Sequence, residues 1–134
     1  MMRMWVISAL LFFPILQPAQ TVDANFERLS KIVVFAFGGV GFSGATSPGE
    51  KDYKVILSRP SAMAEFERLY SSGNIMAKCY ALVGIHRLSP QRFRELARPL
   101  HNSKEQVVTM HGCLMSYEPL GVIINQIESG RYWY

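Results

Sequence analysis

The sequence predicts a mainly α protein, a compact bundle of short helical hairpins, and three observations carry that expectation. Apolar residues recur at i, i+3 and i+4 in several separate stretches. Ser-Pro pairs at Ser47-Pro48 and Ser89-Pro90 mark helix starts, a capping hydroxyl followed by a first-turn proline. Turns of two or three residues separate the stretches, which is how antiparallel helices are joined.

The chain opens MMRMWVISALLFFPILQPAQTVDAN. Arg3 supplies a positive start, Trp5 to Leu16 an apolar run, and Pro14 and Pro18 its end. The run suits the core of a signal peptide and falls short of the ~20 apolar residues that cross a bilayer as a helix. The expected boundary follows Ala24, with Ala19 as the alternative, which divides the chain into a leader over 1–24 and one helical domain over 25–134. About 110 residues suit a single core. The 49% hydrophobic content is enough to build that core, and a net charge of +4 falls short of a nucleic-acid-binding signature. The expected location is periplasmic or secreted.

Element by element, Phe26, Leu29 and Val33 share one helical face, and the run Ile32 to Phe37 fits helix or buried strand. Four glycines between Gly38 and Gly44 predict a loop. Ser47, Pro48 and Glu50 spell a capping box for a helix with Tyr53, Ile56 and Leu57 inside, ended at Pro60. Ser61 is expected to cap the next helix, with Ala62, Phe66, Leu69 and Tyr70 inward, and Gly73-Asn74 to stop it and start another. From Ile75 to Leu88 apolar residues surround the helix, the mark of a central element. Phe93, Leu96, Ala97 and Leu100 stripe the helix after Pro90, and Pro99 and Asn102 close it. Residues 107–117 predict a short strand or structured loop, interrupted at Gly112. Pro119 opens the last helix, with Leu120, Ile123, Ile124 and Ile127 on one face and Gly130 as its stop.

Ala77, Ala81, Leu82, Leu88, Ser89-Pro90, Phe93 and Leu96 together resemble one unit of a HEAT-type helical repeat, over about 25 residues and with no second copy at that period. That resemblance implies a binding scaffold and not a catalyst. The mature chain is also similar to uncharacterised exported bacterial proteins, a likeness that carries no function with it.

Candidate chemistry is sparse. Cys79 and Cys113, the two cysteines, predict one disulfide in an exported chain, closing a loop of about 35 residues. The glycine stretch lacks a phosphate-loop ending, and no Gly-x-Ser-x-Gly elbow occurs. Glu65 and Glu67 lie on different faces, and Asp52 beside Glu50 reads as a first-turn capping acid. Among His86, His101 and His111, the last is the one to watch, because it stands two residues from Cys113. Arg87, Arg94 and Arg98 predict a basic face for an anionic envelope component or an acidic protein. Tyr132, Trp133 and Tyr134 predict a recognition tail, or a tail docked on the domain's own core.

The resulting expectation is an exported, non-enzymatic helical module, without cofactor, metal or nucleic acid, that binds or supports another cell-envelope or extracellular component. One alternative is a small thiol or hydrolase-like enzyme using His111 and Cys113. The other is a membrane-associated protein with an uncleaved leader and the Ile32–Phe42 stretch against lipid.

Overall fold

The structure, a computed structural model, describes residues 23–132. It is mainly helical. In chain order come α1 (Ala24–Ser30), β1 (Gly39–Val40), β2 (Ala45–Thr46), α2 (Pro48–Leu57), α3 (Ala62–Ser72), α4 (Ile75–Leu88), α5 (Pro90–Ala97), a 3-10 turn (Arg98–Leu100), β3 (Gln106–His111), β4 (Leu114–Pro119) and α6 (Leu120–Glu128). Two small antiparallel hairpins, β1–β2 and β3–β4, join the helices.

The central helix is α4, with Cys79 to His86 buried without a break. Asn74 starts it by accepting from the Ala77 N–H at 2.9 Å, and the Asn74 amide also donates to the Ile32 carbonyl at 2.7 Å. One residue thus caps α4 and ties down the exit from α1. Helix α3 packs close against α4 because Gly84 has no side chain: a Cβ there meets the Phe66 ring at under 3.0 Å. Phe26 and Leu29 of α1, Ile56 of α2 and Ile123, Ile124 and Ile127 of α6 close the rest of the core.

Helix α1 ends at Ser30, earlier than its apolar face suggests. Val33 is therefore solvent-exposed, while Phe35 and Phe37 run extended into the core. Their rings meet Tyr80 at 5.0 and 5.2 Å, and Tyr53 and Tyr132 complete an aromatic cluster around them. The Tyr80 hydroxyl accepts from the Ala36 N–H at 3.0 Å and donates to the Ala36 carbonyl at 2.8 Å. Ser47 caps α2 as expected, accepting from the Glu50 N–H at 3.1 Å, and its own hydroxyl proton goes to Ala36. The expected capping box is not completed: the buried Glu50 carboxylate takes the Gly38 N–H at 3.0 Å and Lys54 at 2.8 Å instead. Ser61 likewise gives its hydroxyl to Glu65 at 2.6 Å and makes no cap.

Two tyrosines in this cluster make opposite contributions. The Tyr53 hydroxyl is buried with no hydrogen-bond partner among the described residues, and burial pushes its pKa up to about 12. Tyr53→Phe is expected to stabilise the protein by about 1 kcal/mol, since it removes an unmatched polar group. Tyr80→Phe strips the Ala36 N–H of its acceptor and is expected to cost about 1–3 kcal/mol. Urea midpoints of the two variants, measured side by side, check the signs.

At the start of the fold, Asp23 caps α1 by accepting from the Asn25 N–H at 3.1 Å. It also holds Arg59, whose Nη2 donates to it at 3.1 Å while Nη1 donates to Glu65 at 2.7 Å. Its carboxyl pKa is held below the usual range by that hydrogen bond from Arg59. Asp52, read from sequence as a capping acid, is instead buried and clamped by Arg28 at 2.7 and 3.1 Å and by the Asn25 amide at 2.8 Å. A boundary after Ala24 therefore cuts inside the first turn of α1 and separates it from its cap.

Candidate interaction surface

The segment over 107–117 is a β-hairpin. His111 pairs with Leu114 across a two-residue turn, Gly112-Cys113. Gly112 takes φ 58° and Cys113 a negative φ, which fits a type II′ turn with glycine at its first central position. The stretch from Phe35 to Gly41 lies alongside β3 in parallel. Phe35 N–H donates to the Val108 carbonyl at 2.8 Å, and Gly41 N–H to the Gly112 carbonyl at 2.9 Å. That last bond joins the two hairpin tips.

Together the tips form an apolar end to the molecule. Phe42 is fully exposed, and Leu114, Met115 and Tyr117 are 74%, 58% and 72% exposed. No Asp, Glu, Lys or Arg occurs over 38–49 or 106–117. Met115 and Tyr117 share one face of β4 and Leu114 lies on the other. Exposed apolar side chains concentrated in segments without charge mark a binding site more often than an ordinary solvent face. Leu114, Met115 and Tyr117 escaped the sequence reading, and Phe42 entered it only as the end of the Ile32–Phe42 stretch, although a glycine between two alternating stretches is a hairpin signal.

Behind the tips lies a polar cluster. Thr109 Oγ1 donates to Glu118 at 2.7 Å, His111 Nε2 stands 3.4 Å from the same carboxylate, and Gln126 donates to its other oxygen at 3.5 Å. Burial pushes the Glu118 pKa up, but the hydrogen bonds from Thr109, His111 and Gln126 outweigh it and leave the carboxyl below the usual value. Tyr132 closes the cluster by donating to Gln126 at 2.6 Å.

The expected disulfide is corrected: both thiols are free. Cys79 is buried in mid-α4, where it feels the charge of Glu105 at the foot of β3. Cys113 sits at the far tip of that hairpin, exposed. A six-residue strand spans about 20 Å, whereas a bridge needs the two Cα atoms within about 7 Å. Burial drives the Cys79 pKa far up, so it is a core thiol and not a nucleophile. Among the described residues no hydrogen bond joins Cys113 to His111, which is turned to Glu118 instead.

Tyr132 belongs to the core and not to an exposed tail: it is buried, with its ring 5.0 Å from Phe35. Trp133 and Tyr134 lie outside the described residues. Arg94 is exposed on α5, Arg98 is exposed where the 3-10 turn begins, and Arg87 is exposed at the end of α4. Arg87 acts electrostatically on Tyr53 and Arg94 on His86, so their charges bear on different parts of the body. His86 is buried edge-on to Phe93 at 4.8 Å, and burial, followed by Arg94, lowers its pKa against the pull of Glu128. His101 Nδ1 lies 3.1 Å from Asn125.

A shallow groove of about 460 Å³ between α1 and α2 is lined by Glu27, Lys31, Ile32, Val33 and Pro48. Its Arg28 and Asp52 are spent on one another. Among the described residues no three His, Cys, Asp or Glu side chains are grouped to hold a metal ion, and no helix is long and apolar enough to cross a membrane. No family model, curated protein or solved structure matches this chain.

Proposed function

We propose that this protein is an exported, non-enzymatic module that holds another cell-envelope or extracellular component through the apolar end built from Phe42, Leu114, Met115 and Tyr117. The observation that carries this reading is the exposure of four large apolar side chains on two tips that a backbone hydrogen bond locks together. A rigid, preformed apolar surface binds without a large ordering cost.

Export rests on Arg3, the Trp5–Leu16 run and the prolines that end it. Because Asp23 caps α1 and holds Arg59, cleavage after Ala19 keeps both contacts, whereas cleavage after Ala24 removes them. The exported protein is expected to show an intact mass that begins at Gln20. A mass beginning at Met1 contradicts cleavage, and one beginning at Asn25 contradicts the role given to Asp23.

Partner binding is tested by the double substitution Phe42→Ser, Leu114→Ser. Both side chains are exposed, so the thermal midpoint is expected to move by no more than about 2 °C. The unsubstituted protein is expected to run in a high-mass complex on native gels of envelope extract from the exporting host, and the double variant to run without it. Its persistence places the partner elsewhere, and the exposed Arg94 and Arg98 then become the surface to substitute, with salt sensitivity as the readout.

A further inference from the structure

We infer that the free edge of β4 pairs with β4 of a second copy of this chain, antiparallel, about a two-fold axis through Ser116.

The hydrogen-bond phase of the hairpin fixes what that edge offers. Phe35 N–H reaches the Val108 carbonyl, so Val108 turns its backbone polar groups away from β4. Leu120 N–H donates to the Glu105 carbonyl at 2.8 Å, which puts the inward bonds on the alternate pairs. Val108 pairs with Tyr117 and Met110 with Met115. In an antiparallel ladder the two members of such a pair both face outward. The N–H and C=O of Met115 and Tyr117 therefore point to the open side of β4. Among the described residues nothing pairs with β4 on that side.

Natural edges are protected by lysine, by bulges or by an inserted proline. This one has no lysine, and its register runs one-to-one from Leu114 to Pro119, where the proline ends it. The open stretch is thus two outward residues long and centred on Ser116. A two-fold axis there sets Met115 opposite Tyr117 of the second copy and Tyr117 opposite its Met115. Four N–H···O bonds result, and each side chain gains a methionine–aromatic contact.

Charge distribution favours a second copy over an unrelated strand. His111 pairs with Leu114, and the axis places Glu118 of the second copy beyond that Leu114, in the same row. Each row across the joined hairpins then carries a histidine from one copy and a carboxylate from the other. Neither row brings two carboxylates together. The contact is short, well below the ~1,200–2,000 Å² of stable interfaces, so the dimer is weak and concentration-dependent. It rests on the reading of this end as the working surface, but Phe42 lies across β3, on the side of the hairpin away from the free edge, and the two claims fail separately.

The test is amide hydrogen exchange by NMR on protein purified from an exporting host, from 20 µM to 1 mM (roughly the range in which a weak contact of this size forms), with sedimentation velocity alongside. The expected result is that Met115 and Tyr117 amides gain protection with concentration, as a dimer boundary grows. Leu114 and Ser116 amides stay protected throughout. Met115→Pro removes an outward N–H without touching the β3 ladder and is expected to weaken dimerisation at least tenfold. Tyr117→Lys is expected to do the same by charging the edge. Phe42→Ser is expected to leave the dimer intact while losing the envelope complex. A monomer at every concentration, a dimer unaffected by both edge variants, or protection that appears only with phosphatidylcholine vesicles overturns the pairing.

Discussion

Phe35→Ala is expected to lower stability by about 3–5 kcal/mol, the range for deleting a buried phenylalanine ring. Phe35 is 1% exposed and packs edge-on against Phe37, Tyr80 and Tyr132 at 5.6, 5.0 and 5.0 Å. Its N–H also ties the extended segment to β3 through Val108. The ring therefore couples three parts of the chain that are far apart in sequence: the exit from α1, the central helix and the end of the last helix. Against a total of about 5–15 kcal/mol for a domain, the loss is large. Urea unfolding followed by circular dichroism measures it, and a loss below about 1 kcal/mol means the aromatic cluster does not hold the body together.

The second large effect is expected at Gly84. A methyl group there meets three atoms of the Phe66 ring at under 3.0 Å, and that ring is fully buried. Gly84→Ala gains up to about 1 kcal/mol of helix propensity, so on an open helix face it stabilises. Here the close packing of α3 on α4 reverses the sign, with an expected cost of about 3 kcal/mol from overpacking. Phe66→Leu is expected to recover part of that loss in the double variant, because the two positions share one volume. Calorimetric midpoints of the two single variants and the double complete the cycle. Additive costs mean that Gly84 and Phe66 do not compete for space.

What the sequence made legible follows from how local each signal is. Ser47, Asn74 and Ser89 cap their helices as their spacing predicts, because a capping bond spans only three residues. The all-round apolar pattern of α4 identified it as the central helix, since periodicity needs only one segment to be read. Glu50 and Asp52 were misread because their partners come from elsewhere: Gly38 is brought over by the extended segment, and Arg28 by α1. Ser61 was lost to its own helix's Glu65, a side chain that competes with the backbone for the same hydroxyl. The cysteines show the limit of counting. Two in a chain read as exported suggest a bridge, but the hairpin carries Cys113 away from the core that holds Cys79. The exposed apolar end had a faint signal in Gly112 between two alternating stretches, yet Phe42 joins it only through the Gly41–Gly112 bond, which no local pattern predicts.

The most direct test of the central claim is site-specific photo-crosslinking in the intact envelope of an exporting host. A photoreactive side chain is placed in turn at Phe42, Leu114, Arg94 and Arg98, all four exposed. The account predicts a discrete adduct of one mass from positions 42 and 114, and none from 94 and 98. Adducts from the two arginine positions, with positions 42 and 114 silent, contradict it and move the working surface to α5.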